Sequence, residues 1–302
     1  DKVSSNIAKL LQTDAFTYSV AGLSAIHRAI FDGVFKHAGR FRDYDILKKE
    51  WVLEGDSVLY GRWQDLRMAI EYDLEQERQF DYTALTKKQM VEHLANFISG
   101  LWQIHPFAEG NTRTIAIFTI KYLRSQGFRV NNELFELNSW YFRNALVRAN
   151  YRNLKKGVNY DSEYLIRFFA NLLLGEKWDL RNRYLHIHPT EEWKVQPNLL
   201  APEQVPDKYP TSTRQVPDKL HTDNLNIQRL VQIVGKTELS VKDMLAVIGL
   251  KNREHFLDYY LNLAIAEGYV CLLYPDKPRH PRQKYQLTMK GMALYNELNT
   301  GK

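Results

Sequence analysis

The stretch His105-Pro106-Phe107-Ala108-Glu109-Gly110-Asn111-Thr112-Arg113 constrains this chain more than any other. Before it, Met90, Leu94, Phe97, Ile98 and Leu101 recur at helical spacing; after it, Ile115, Ile117, Phe118, Ile120, Tyr122 and Leu123 make a helix apolar on most sides. A polar loop is therefore clamped between two core helices. Its residue types suit phosphoryl chemistry. The free N–H groups of the second helix form an anion site, Gly110 permits close backbone approach, and Arg113 can fork onto phosphate oxygens. Glu109 can hold a magnesium ion, and His105 can take a proton from an attacking hydroxyl.

The same residues resemble the signature of the Fic (Fic/Doc) family, His-Pro-Phe-x-Asp/Glu-Gly-Asn-Gly-Arg-x-x-Arg, with His105, Pro106, Phe107, Glu109, Gly110, Asn111 and Arg113 in register. The resemblance implies transfer of a nucleotide monophosphate, usually AMP from ATP, onto a Ser, Thr or Tyr hydroxyl of another protein. It implies His105 as general base, Glu109 as magnesium ligand, and Gly110, Asn111, Thr112 and Arg113 around the phosphates. Two positions depart from the signature: Thr112 stands for its second Gly and Ala116 for its second Arg. The position three after Arg113 lies one turn along the same helix face, so Ala116 removes a cation from the far end of a triphosphate. The β-branched Thr112 disfavours positive φ and narrows phosphate approach, while its hydroxyl can cap the helix or donate to an oxygen. Chemistry at the α-phosphate is retained, whereas the grip on the γ-phosphate, and with it the donor, stays open.

Upstream, Ile26, Ala29, Ile30, Val34 and Phe35 give a helical stripe closed by His37-Ala38-Gly39. Gly39 to Leu53 reads as a small β-hairpin with a polar turn at Lys48-Lys49-Glu50. Its Gly39-x-x-Arg42-x-x-x-Ile46 opening is similar to that of the Fic flap. In that family the flap edge positions the target, so Asp45, Ile46, Leu47 and Trp51 are docking candidates; a hairpin without a partner is the alternative. Residues 59–79 read as one long helix with Leu59, Trp63, Leu66, Ile70 and Leu74 inward. By the resemblance, the helix over 138–150 lines the base pocket through Tyr141 and Asn150. Core packing of Tyr141 and helix capping by Asn150 is the competing reading.

At 302 residues there is room for two domains. A mainly α, Fic-type helical bundle is expected over 1–188. A proline-bearing linker follows over 189–220, then a winged-helix (α+β) domain over 221–302 similar to the one fused to many bacterial Fic proteins. Strands are expected at 269–274 and 284–287 around a basic wing. The third helix there offers Arg253 but also Glu254, Asp258 and Glu267, which repel phosphates, so protein contact is favoured over DNA. The expected partners are a protein target and, through the winged helix, a second copy or a regulatory protein. The lone Cys271 fits a reducing cytoplasm. No apolar run reaches membrane-spanning length and no leader is visible. A net charge of +6 demands no nucleic acid. His186 and His188 have no third ligand at metal spacing. No Ser or Thr is followed four residues later by Glu, so the Ser/Thr-x-x-x-Glu helix with which many Fic proteins restrain themselves is missing together with the Arg it would pair.

Overall fold

The computed structural model of the chain describes residues 1–188 and 220–300; the linker expected over 189–220 lies outside them except for Leu220. Helices α1 (Lys2–Leu11), α2 (Val20–Phe31), α3 (Leu66–Arg78), α4 (Lys87–Ile104), α5 (Asn111–Ser125), α6 (Glu133–Leu137), α7 (Ser139–Ala149) and α8 (Glu163–Leu174) form the first unit. At its centre α4 and α5 pack on each other and on α8 and α2 respectively. Their middles are the apolar runs on either side of the signature. Leu94, Ile98, Leu101, Phe118, Ile120 and Leu123 are each 1% exposed or less. Burying one such side chain contributes about 1.5–3 kcal/mol, so the signature is hung from the best-anchored part of the molecule. Thr86 and Gln89 start α4 with a reciprocal capping box.

The second unit comprises α9 (Leu225–Val234), α10 (Val241–Ile248), α11 (Arg253–Phe256), α12 (Asn262–Ala266), β1 (Val270–Leu272), β2 (Tyr285–Leu287) and α13 (Met289–Thr300). A π-helical turn over Leu257–Leu261 fuses α11 and α12 into the third helix expected from the sequence. β1 and β2 are antiparallel, with Cys271 opposite Gln286, and an isolated bridge joins Leu239 to Tyr285. Burial raises the pKa of the Cys271 thiol, as suits a packing residue. The unit is seated on the first through α13. Met289 and Ala293 join the core of the helical bundle, Lys87 pairs with Glu297 at 2.7 Å, and Asn296 donates to the Leu85 carbonyl at 2.9 Å.

Two sequence expectations give way. Residues 41–60 double back as a flap, but among the described residues no strand ladder forms there. The flap turns at Glu54-Gly55, both at positive φ, not at Lys48-Lys49-Glu50. Its limbs meet where Glu50 N–H donates to the Asp56 carbonyl and Gly55 N–H to the Glu50 carbonyl. Elsewhere side chains take over the pairing: Ser57 Oγ accepts from Lys48 N–H and Asp45 Oδ1 from Trp63 N–H. The long helix begins only at Leu66, after a 3-10 turn, so Leu59 and Trp63 are exposed at 84% and 41% rather than inward. The cause is Gly61, whose N–H and C=O are drawn off the helix path to Gln103 and Arg42.

Candidate active site

His105 follows α4 as its C-cap in the left-handed conformation, φ 53°, uncommon for a residue with a Cβ. Its side chain is 1% exposed. Nδ1 lies 3.2 Å from the Trp102 carbonyl. A carbonyl only accepts, so Nδ1 carries the proton and Nε2 holds the lone pair. Nε2 is buried with no hydrogen-bond partner. Burial, then the charges of Lys48, Arg143 and Arg42, hold the imidazole pKa well below its ordinary value, so the ring is neutral at pH 7.

Gly110 caps α5 at φ 77°, turning the chain so that the N-terminus of a fifteen-residue helix opens beside His105. Asn111 does not spend its side chain on that opening. Oδ1 accepts from Phe107 N–H at 2.9 Å and Nδ2 donates to the Phe107 carbonyl at 2.7 Å, so the amide staples the loop from within. Thr112 has no positive φ, which removes the steric objection raised from its β-branch. Its Oγ1 accepts the Trp102 indole N–H at 3.0 Å, tying α5 to α4. Arg113 is exposed, its guanidinium 5.7 Å from the Phe31 ring centroid. Glu109 is exposed too. Its charge acts on Lys48 of the flap, whose pKa burial and Arg143 lower and Glu109 partly restores.

Beside this loop lies a cavity of about 580 Å³ walled by α1, α5, α6 and α7. Thr112, Arg113 and Ala116 form one side; Val3, Ile7, Phe135 and Phe142 are apolar, and Ser139 and Glu136 are polar. A mostly apolar cleft with a few polar groups suits a flat heterocycle joined to an anion. Tyr141 and Asn150 are not in its wall, and each makes the contacts of the competing reading. Tyr141 is 1% exposed with its hydroxyl on the Tyr164 carbonyl at 3.0 Å; Asn150 caps α7 and donates to Ser99 and to the Leu146 carbonyl. Helical phase explains the swap: α7 turns Ser139 and Phe142 to the cavity.

On the flap, Leu47 and Trp51 are exposed at 76% and 52%, Ile46 packs against the core, and Asp45 ion-pairs with Arg42 at 3.6 Å. Glu50, 4% exposed, pairs with Arg143 of α7 at 2.7 Å. Tyr60, at the flap's end, packs its ring 4.2 Å from that of His105. Trp51 lies edge-on to His186, and His188 reaches Glu54 at 3.1 Å, so these histidines serve the flap. Among the described residues no group of three metal-ligating side chains occurs.

Sequence reasoning missed His27. It is fully buried, stacked on Phe107 at 3.8 Å, with Nε2 on the Glu109 carbonyl at 3.1 Å and Nδ1 accepting from Gly39 N–H at 2.8 Å. It therefore ties the signature loop to the start of the flap. Its position on the inner face of α2 was the available signal. Burial lowers its pKa to about 4. The unfolded chain therefore binds more protons between pH 6.5 and 4, and stability falls as pH drops through that window, by at most roughly 3 kcal/mol from this residue. Urea titrations at pH 7 and 4.5 should show a smaller acid loss for His27→Gln than for the wild type. Equal losses would mean that His27 is not held neutral.

A neutral buried histidine a few residues ahead of a helix N-terminus is an arrangement suited to phosphoryl transfer. Comparison with known proteins makes this specific. Residues 17–123 match the Fic/DOC family, and residues 225–288 match the C-terminal domain of the Filamentation induced by cAMP protein Fic-like group. The chain thus carries a Fic/DOC domain followed by a Fic-like C-terminal domain. It is similar to the protein adenylyltransferase VbhT of Bartonella schoenbuchensis, 22% identical over 224 residues that cover 73% of this chain and 43% of that protein. It thus spans less than half of that relative's length. Similar solved structures include a Fic family protein from Desulfovibrio desulfuricans G20, 19% identical, covering 94% of this chain and 72% of the other with a TM-score of 0.37. Another is BepC from Bartonella tribocorum with bound AMPPNP, 17% identical over 56% of this chain and 81% of the other, TM-score 0.45. No helix among the described residues is long and apolar enough to cross a membrane.

Proposed function

We propose that the chain transfers AMP from ATP to a Ser, Thr or Tyr hydroxyl of a target protein. The observation that carries this reading is the unpartnered, buried lone pair of His105 Nε2, five residues ahead of the α5 N-cap Gly110. Nε2 takes the proton of the target hydroxyl, whose oxygen attacks the α-phosphorus. The bond from that phosphorus to the bridging oxygen breaks, and pyrophosphate leaves. Free N–H groups at the start of α5, with Arg113, bind the phosphates, and the cavity beside Arg113 takes the base. Glu109 is the carboxylate for magnesium, which neutralises phosphate charge when bound. One carboxylate suits a cation that draws its other ligands from water and phosphates. The exposed Leu47 and Trp51 flank the flap segment that receives the target. The C-terminal unit is read as a winged-helix module for protein contact, its third helix carrying Glu254 and Asp258 where DNA would require cations. Incubation of the protein with a lysate and α-labelled ATP should give magnesium-dependent label on protein, and γ-labelled ATP should give none. Label from the γ-position, or none from either, would sink the proposal.

A second reading keeps the fold and changes the donor to another phosphate-linked group, and Ala116 favours it. That residue lines the cavity one helical turn after Arg113 and brings no charge to a γ-phosphate. Ala116→Arg should tighten ATP about tenfold, the worth of one good charge-assisted contact. Calorimetry with ATP checks this; unchanged or weaker binding by a folded variant would favour the other donor.

A further inference from the structure

Arg42 sits at the root of the flap with its side chain wholly buried, and that guanidinium is spent almost entirely on backbone carbonyls. Nε donates to the His105 carbonyl at 2.8 Å, Nη1 to the Tyr44 carbonyl at 2.7 Å, and Nη2 to the Gly61 carbonyl and, at 3.2 Å, to the Ile104 carbonyl. Its own N–H donates to the Pro106 carbonyl at 2.9 Å. One residue thus holds three successive carbonyls, Ile104, His105 and Pro106, together with both limbs of the flap. Two of those carbonyls belong to the peptide planes that set the left-handed twist at His105, a conformation costing about 1–2 kcal/mol if nothing held it. The carboxylate of Asp45 at 3.6 Å is the one charged partner, and it is largely exposed. A group whose only task was to neutralise a buried acid would not be arranged in this way. Arg42 replaces the solvent that the end of α4 would otherwise need for its orphan carbonyls, and does so with a planar fork of fixed geometry.

We propose that Arg42 is the positioning residue of the active site: through the carbonyls on both sides of His105 it fixes the direction in which Nε2 points, and through Tyr44 and Gly61 it locks that direction to the seating of the flap. The base and the surface that receives the target then move as one body. A target chain that shifts the flap shifts the base with it, and a base out of line loses rate without losing nucleotide. Lysine cannot substitute. Its single ammonium supplies three donors from one point and cannot span carbonyls on two flap limbs and the end of a helix.

The inference rests on the transferase reading for its kinetic arm only. For Arg42→Lys, kcat for AMP transfer should fall about 100-fold while the KM for ATP stays within about twofold, because misplacing a reacting group by about 1 Å has that effect on rate. The second arm needs no turnover. Imidazole nitrogen–proton correlation spectra of the wild type should show His105 as a single Nδ1–H tautomer, with that proton and the Arg42 Nε–H both slow to exchange with solvent. In Arg42→Lys the His105 signal should broaden or split, while His93, remote from the site and paired with Glu77, keeps its signal. If the variant does not fold, exchange in the wild type still decides the matter. Fast exchange of the Arg42 Nε–H, or an unaltered His105 spectrum in a folded Arg42→Lys, would overturn the assignment. A wild type inactive with ATP would sink the transferase reading and leave this one to the spectra.

Discussion

His105→Ala should reduce AMP transfer by about 10²–10⁴-fold, the usual worth of a positioned general base, with ATP binding within about twofold of the wild type. The imidazole packs on the Trp102 carbonyl and the rings of Tyr60 and Trp102, groups that lie outside the Gly110–Arg113 segment. Removing it therefore leaves the phosphate-binding loop standing. Single-turnover rates with α-labelled ATP, measured beside calorimetric binding, separate the two effects. Turnover that survives in a folded variant would remove the base assignment and the mechanism with it.

The pH profile is a second signature of the same residue. An exposed histidine acting as base would lose half its activity near pH 6.5. Here burial first, and then the positive charges of Lys48, Arg143 and Arg42, disfavour the imidazolium. The acid limb of kcat/KM for AMP transfer should accordingly lie well below pH 6.5. The same sign governs stability: a site that is neutral when folded and protonated when unfolded costs stability as pH falls below 6.5. Acid inactivation by unfolding can then precede loss of the base, so circular dichroism must accompany the rate measurements.

What the sequence made legible and what it hid divide along a physical line. The α4 and α5 runs and the two short strands near the C-terminus were readable because each is fixed by local periodicity. The helical phase of α7 was not, because 3.6 residues per turn lets Ser139 and Tyr141, two apart in sequence, face a cavity and the core respectively. The flap looked like a hairpin because the polar Lys48-Lys49-Glu50 divides Ile46-Leu47 from Trp51-Val52-Leu53. Its side chains instead answer to partners far away in sequence, Arg143 for Glu50 and Tyr151 for Asp56. His27 and Arg42 were invisible as site residues for the same reason: each acts on the signature across sixty to eighty residues of chain. Motif reading finds groups that touch substrate. It is blind to the groups that hold those in place.

Gly110→Ala should be the most damaging small substitution in the site. Two effects add. The first is conformational: φ 77° costs a residue with a Cβ about 1–2 kcal/mol. The second is steric: a Cβ on Gly110 would stand 2.3 Å from Cε2 and 2.4 Å from Cζ of Phe31. Phe31 cannot step aside, since it is fully buried and packed between His27 and Phe35, whose ring centroids each lie 4.7 Å from its own. The loop must move instead, carrying the α5 N-terminus away from the place where phosphates would bind. Overpacking of this kind costs a further 1–3 kcal/mol or so. Gly157→Ala is the matching control, for Gly157 sits at φ 68° with nothing within 4 Å of its would-be Cβ. It should lose only the conformational part and should bind ATP as the wild type does. Urea midpoints and ATP calorimetry on the two variants read both effects. If Gly110→Ala lost no more stability than Gly157→Ala and still bound ATP, the contact with Phe31 would not be what sets the loop, and the phosphate site would have to be sought elsewhere.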